Sequence, residues 1–281
     1  MFISETIQET TAYINSVKEK GNSVGFIPTM GALHEGHLSL VREAKKETGF
    51  VISSIFVNPV QFNNPDDLAN YPRDIKKDIQ LLESAECDFL FYPSVKEMYP
   101  EPVKDVFDFN GLDSLMEGNF RPGHFNGVAT VVKRLFEIIR LNKAYFGLKD
   151  YQQLLIIHKL TKDYKLPVEI IPCPTVREKD GLAMSSRNQR LSKQERKQAT
   201  LLYEVLKMVK IQSGFSTISE IKSYVDYLFH KSKDVRLEYF EIVDMYTLEP
   251  IKAWAQSKNV IACIAAWVGN VRLIDNIILF S

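Results

Sequence analysis

Met30-Gly31-Ala32-Leu33-His34-Glu35-Gly36-His37 follows a short apolar run, Val24–Ile27, and opens a segment of helical periodicity over Leu38–Glu47. A strand, a glycine-bearing turn and a helix in that order bring backbone N–H groups and a helix dipole to one point, and both attract anions. The small residues of the turn leave room for a nucleotide to approach. The stretch is read as a phosphate cradle that serves a nucleoside triphosphate without a P-loop.

The two imidazoles admit other roles. Either histidine alone is more often structural or merely exposed. As a His-x-x-His pair they could hold zinc, but no third ligand stands at an obvious spacing, and Glu35 is not placed as in His-Glu-x-x-His. Their position at a strand-to-helix turn, between glycines, favours contact with phosphate. An unperturbed imidazole titrates at about 6.5, so a neighbouring polyphosphate is expected to favour its protonated form.

Outward from this stretch, β-rich runs alternate with helical ones. Strands are expected at 24–27, 51–57, 89–92, 144–146 and 168–171, and helices at 38–47, 75–84, 128–139 and 152–163. In the third of these helices Val128, Val131, Val132, Leu135 and Ile139 fall at helical spacing. Such alternation predicts an α/β fold with a doubly wound, Rossmann-like parallel sheet. Beyond residue 176 the rhythm changes to two helices, 192–211 and 219–232, and then three strands, 237–243, 260–267 and 273–279. The expected organisation is therefore a Rossmann-like domain over 1–176 and a smaller α+β C-terminal domain over 177–281.

In an open parallel sheet, ligands bind beyond the carboxyl ends of the strands. Four polar motifs fall there: the histidine stretch, Asn58-Pro59-Val60-Gln61, Gly147-Leu148-Lys149-Asp150, and Pro174-Thr175-Val176-Arg177. Lys149 is either a solvated partner of Asp150 or a phosphate-neutralising cation. Gln61 and Gln153 carry amides suited to a carboxylate or hydroxyl. Met184-Ser185-Ser186-Arg187 is either a polar linker or a phosphate clamp, with Gly181 as its hinge. Arg121 and His124, in Arg121-Pro122-Gly123-His124, either cap a helix or line the same cleft.

Composition narrows the class. The 281 residues are 45% hydrophobic and 25% charged, and 35 basic side chains balance 35 acidic ones. That is the balance of a soluble globular protein, with no general drive toward nucleic acid or an anionic membrane. The first residues lack the basic start and apolar core of a signal peptide, and the apolar run 270–280 is too short and too interrupted to span a bilayer. Cys87, Cys173 and Cys263 lie far apart without metal-ligand spacing, as expected of structural thiols in the cytoplasm.

The ordered set PTMGALHEGH, FVNPVQF, YPR, RPGHFNGV, FGLKDYQQ, PTVRE-DGLAMSSRN and IAAWVGNVRLIDN resembles the pantothenate synthetase (pantoate–β-alanine ligase) family, within the nucleotidylyltransferase superfamily. The resemblance extends over nearly the whole chain. It implies an ATP-dependent condensation of pantoate with β-alanine through a pantoyl adenylate, releasing pyrophosphate and AMP. Carried over, Met30, Gly31, Ala32, Leu33, His34, Glu35, Gly36 and His37 would line the ATP site, as would Gly147, Leu148, Lys149, Asp150, Val176, Met184, Ser185, Ser186 and Arg187. His34, His37, Lys149 and Arg187 would carry the catalytic charge stabilisation. Gln61 and Gln153 would hold pantoate, with Gln61 also bordering β-alanine. Mg²⁺ is expected with ATP, and its protein ligand is unknown; Asp78 is one candidate. A homodimer is implied, with no nucleic acid or membrane partner. The rival readings are another nucleotidylyltransferase and an ATP-binding regulatory module without chemistry.

Overall fold

The computed structural model of the protein describes residues 1–232 and 234–281. Its strands are β1 (Phe2–Ser4), β2 (Val24–Thr29), β3 (Phe50–Ile55), β4 (Phe89–Phe91), β5 (Lys143–Gly147), β6 (Glu169–Cys173), β7 (Val235–Asp244), β8 (Val260–Val268) and β9 (Val271–Phe280). The helices are α1 (Ile7–Glu19), α2 (Glu35–Glu47), α3 (Pro65–Ala69), α4 (Ile75–Ser84), α5 (Val95–Met98), α6 (Met116–Phe120), α7 (His124–Ile139), α8 (Tyr151–Asp163), α9 (Lys193–Gln198), α10 (Leu201–Gln212) and α11 (Ile218–Lys231). They form two compact units: Met1–Leu148 with Gln153–Pro174, and Lys149–Gln152 with Thr175–Ser281. No helix among the described residues is long and apolar enough to cross a membrane.

The first unit is a six-stranded sheet in the order β1-β4-β3-β2-β5-β6, with every pairing parallel. Strand residues alternate between two cores, as a period of two requires. Val24, Phe26, Ile52, Phe89, Phe91, Ala144 and Phe146 face one core, where α1, α7 and α8 contribute Ile14, Val128, Leu135 and Leu154. Ile27, Val51, Ile55, Leu90 and Tyr145 face the other, against Leu38, Val41 and Ala44 of α2 and Leu82 of α4. Helices therefore cover both faces, which is the doubly wound arrangement. From β2 the chain builds β3 and β4 on one side, then crosses to β5 and β6 on the other. The β2/β5 junction is thus the point where strand order reverses, the favoured ligand crevice of such sheets, and the histidine stretch leaves β2 there.

The second unit is a three-stranded antiparallel sheet, β7-β8-β9. Leu202, Val205, Leu206 and Val209 of α10 join Ile221, Val225 and Phe229 of α11 in one core with Val260, Ala262 and Ile264 of β8. The run 192–211 is divided into α9 and α10 rather than forming one helix. At the break, Thr200 Oγ1 donates to the Lys197 carbonyl at 2.9 Å, a side-chain bond that competes with the helical ladder. Cys87, Cys173 and Cys263 are buried and in no disulfide, and burial pushes the Cys87 thiol up to about 12, which keeps it protonated and inert.

Candidate functional site

In the first unit, β2 ends at Thr29, whose hydroxyl accepts from Gly31 N–H at 3.2 Å and donates to the Ser54 carbonyl at 2.8 Å. Ala32 follows with φ of 50°, a left-handed conformation that costs energy in a residue with a Cβ. Asp78 of α4 holds it in place. Its carboxylate accepts from Ala32 N–H at 2.9 Å and from Leu33 N–H at 2.7 Å, and the residue is only 2% exposed. Burial raises the Asp78 carboxyl above the ordinary aspartate value, with the two amides pulling it back. Asp78 therefore braces the turn, and both its oxygens are already committed. Ile75, Asp78, Ile79 and Leu82 share one helical stripe, and an acid in an apolar stripe is the sequence signal for such a brace.

His34 is the N-cap of α2, and its Nδ1 accepts from Gly36 N–H at 3.2 Å. His37 returns the contact: its Nδ1 accepts from His34 N–H at 3.3 Å. The two rings lie 4.0 Å apart between centroids. This is a capping box built from two imidazoles in place of hydroxyl and carboxylate. An Nδ1 that accepts a hydrogen bond carries no proton, so both rings are neutral, with the hydrogen on Nε2. The protonated form expected from the sequence would lose the cap, because its Nδ1 could only donate. Glu35 differs from its neighbours: it is exposed and paired with Arg42 along α2.

Beyond β3, Pro59–Gln61 forms a 3₁₀ turn capped by Asn58. Asn58 is fully buried, and its amide donates to Gln61 Oε1 at 3.1 Å and to the Gly127 carbonyl at 3.0 Å. Tyr99 donates its hydroxyl to Asn58 Oδ1 at 3.0 Å, and burial pushes that phenol up, keeping it a donor. Gln61 Nε2 reaches Met30 Sδ at 3.2 Å. His124 Nδ1 meets the Gln61 carbonyl at 2.8 Å; a carbonyl only accepts, so this ring carries its proton on Nδ1. A Cβ on Gly127 would lie 2.6 Å from the Val60 carbonyl oxygen and 2.7 Å from Gln61 Cα, so only glycine lets α7 pack on this turn. Gln61 is thus held from four sides, next to Met30. Gln153 lies half-buried in the first turn of α8, and Arg121 pairs with Glu117 at 3.7 Å.

In the second unit, Lys149 Nζ lies 3.6 Å from Asp150 Oδ1, with 17% of the lysine side chain exposed. Residues 176–184 form a short hairpin, closed by the bridge between Arg177 and Ala183 and by Met184 N–H to the Val176 carbonyl at 3.0 Å. Ser185 then caps a 3₁₀ turn over Ser186–Arg190, its hydroxyl accepting from Arg187 N–H at 3.3 Å. Asn188 donates to the Ala183 carbonyl at 3.0 Å and fixes that turn to the hairpin. Gly181 sits in the hairpin turn with φ of 95°, and a Cβ there would lie 2.2 Å from the Tyr203 ring. The turn is thus packed closely against Tyr203.

Among the described residues no group of three or more His, Cys, Asp or Glu is placed to hold a metal ion. In the first unit the imidazole Nε2–H groups at the N-terminus of α2 suit an anion instead.

A family model described as pantoate-beta-alanine ligase matches residues 2–278. The pantothenate synthetase of Christiangramia forsetii is 52% identical over 268 residues, covering 95% of each chain. That of Caldicellulosiruptor saccharolyticus is 49% identical over 280 residues, covering 99% of each. Among solved structures, pantothenate synthetase from Thermus thermophilus superposes with a TM-score of 0.94 at 42% identity, with all of both chains covered. The pantoate-beta-alanine ligase of Francisella tularensis, in complex with beta-gamma ATP and beta-alanine, gives a TM-score of 0.83 at 38% identity, covering 99% of this chain and 98% of that one.

Proposed function

The chain belongs to the pantoate-beta-alanine ligase family, and from that premise we propose that it condenses pantoate with β-alanine, using ATP, through a pantoyl adenylate. A carboxylate is a poor acyl donor because oxide would have to leave. In the first step the pantoate carboxylate attacks the α-phosphorus of ATP and pyrophosphate departs. In the second the β-alanine amine attacks the acyl carbon, and AMP departs with one former carboxylate oxygen. The observation that carries this reading is the double-imidazole cap, which makes both rings neutral Nε2–H donors at a helix N-terminus beside β2.

In this reading Met30–His37, Gly147–Asp150, Val176 and Met184–Arg187 contact ATP. His34 and His37 donate to phosphate oxygens, and Lys149 and Arg187 offset the charge that builds on the leaving pyrophosphate. Such preorganised donors act mainly by electrostatics and positioning. Gln61 and Gln153 hold pantoate, and Gln61 also borders β-alanine. Mg²⁺ enters with ATP as part of that substrate, held largely by phosphate oxygens and water. The protein works as a homodimer in the cytoplasm.

The test is incubation with ATP, Mg²⁺ and pantoate labelled with ¹⁸O in its carboxylate, with and without β-alanine, followed by mass spectrometry. Pantothenate and AMP carrying one ¹⁸O are expected. ADP with labelled phosphate would replace the adenylate by an acyl phosphate, and an adenylate that β-alanine never consumes would favour a simple nucleotidylyltransferase.

A further inference from the structure

Asp275 and Asn276 lie between apolar residues in the middle of β9, and are 3% and 7% exposed. Buried polar groups cost stability unless they are bonded, and these are bonded to two particular places. The Asp275 carboxylate accepts from Arg177 Nη1 at 2.6 Å and Nη2 at 2.9 Å, and from Asn276 N–H at 2.8 Å. Arg177 also donates to the Gly181 carbonyl at 3.2 Å and the Asn276 carbonyl at 3.3 Å, and its guanidinium lies 3.9 Å over the Tyr203 ring. Asn276 Nδ2 donates to the Lys149 carbonyl at 2.8 Å.

One dipeptide therefore grips the base of the 176–184 hairpin and the backbone of Lys149. The first carries Val176 and runs into Met184–Arg187; the second bears the lysine assigned to phosphate. Replacing a buried ion pair by apolar side chains is often neutral or stabilising, so stability alone is a poor reason for this one. Fixed geometry is a better one.

The geometry points to Asp275 and Asn276 as positioning residues for the adenylation step: they touch no substrate, and they set the backbone of Lys149 and of the hairpin that leads to Arg187. This rests on the assignment of Lys149 and Met184–Arg187 to ATP. It assigns a task to the C-terminal strand, which composition and motif left without one. The step it serves is the first, in which charge moves onto pyrophosphate. The second, aminolysis of the adenylate, releases AMP and depends less on these cations.

Two variants separate the steps. Asn276→Leu removes the donor while keeping the branched shape of the side chain, and Asp275→Asn keeps the shape while weakening the grip on Arg177. For each, pantoate-dependent exchange of labelled pyrophosphate into ATP reads the first step. Single-turnover reaction of β-alanine with preformed enzyme-bound pantoyl adenylate reads the second. Exchange is expected to fall about 10- to 100-fold, in kcat more than in KM for ATP, as a misplacement of about 1 Å can produce. Aminolysis should stay within about two-fold on the same scale. Normal exchange in either folded variant, or equal loss in both steps, overturns the inference. Should Asn276→Leu not fold, Asp275→Asn alone decides by the same comparison. Absence of pantoate-dependent exchange in the unaltered protein removes the functional reading itself, and this inference with it.

Discussion

His34 and His37 each use Nδ1 to cap a helix and keep the proton on Nε2. The two nitrogens can be separated by substitution. Asparagine reaches about as far as Nδ1, whereas glutamine reaches about as far as Nε2. His37→Asn should retain the cap and unfold within about 0.5 kcal/mol of the unaltered protein, yet lose about 10²- to 10³-fold in pyrophosphate exchange. His37→Gln should lose stability and keep more activity. Denaturant unfolding and the exchange assay check both; equal activity in the two variants would detach Nε2 from the chemistry. Asp78 offers a test by pH. Because burial raises its folded value above the ordinary 3.8, its contribution to folding is complete below 3.8 and is lost as pH rises through the raised value. Asp78→Asn cannot titrate, and it leaves one of the Ala32 and Leu33 amides without an acceptor, at about 1–3 kcal/mol. The unaltered protein should therefore exceed the variant in stability by most at acid pH, and by less once the carboxyl ionises. A difference that does not change with pH would contradict the titration.

Among the elements, those with a long period were legible in the sequence. Val128 to Ile139 announced α7 by its apolar stripe, and α4 runs over Ile75–Ser84 as the pattern predicted. β1 was not, because three residues are too few to show a period, and α1 buries only Thr10, Ile14 and Val17. The candidate site divides in the same way. The histidine pair stood out because its members lie within three residues of each other, although the sequence reading gave it to phosphate and not to the cap that the rings form. Tyr99 with Asn58, Asp78 with Ala32, and Asn276 with Lys149 lie 41, 46 and 127 residues apart, and only the fold joins them. Gly127 is a residue whose need comes from another element. Gly127→Ala drives a Cβ into the backbone of Val60 and Gln61, which cannot move aside as a side chain would. A loss of about 1–3 kcal/mol is expected, together with a raised KM for pantoate and an unchanged KM for ATP. Thermal unfolding and steady-state kinetics would show it, and equal shifts in both KM values would detach Gln61 from pantoate.

At the scale of the whole molecule, the chain passes from one compact unit to the other three times: after Leu148, after Gln152 and after Pro174. The excursion at Lys149–Gln152 supplies Tyr151, whose hydroxyl donates to the Met245 carbonyl at 3.0 Å, and Lys149, whose carbonyl is held by Asn276. On the ribosome this sets an order of events. The parallel sheet has all its strands once Cys173 is out, but the anchors for Lys149–Gln152 are made later, after most of the second unit. At about 5–20 residues per second the nascent chain waits on the order of ten seconds before the backbone of Lys149 is anchored. Chains arrested with 176 residues outside the tunnel should show a protease-resistant first unit and no pyrophosphate exchange, whereas chains with all 281 residues outside it show both. Exchange by the shorter chain would mean that Lys149 needs no anchor. Where the shorter chain shows none, catalytic competence is conferred only once the second unit has been made, and until then the polypeptide bears an assembled sheet without being able to consume ATP.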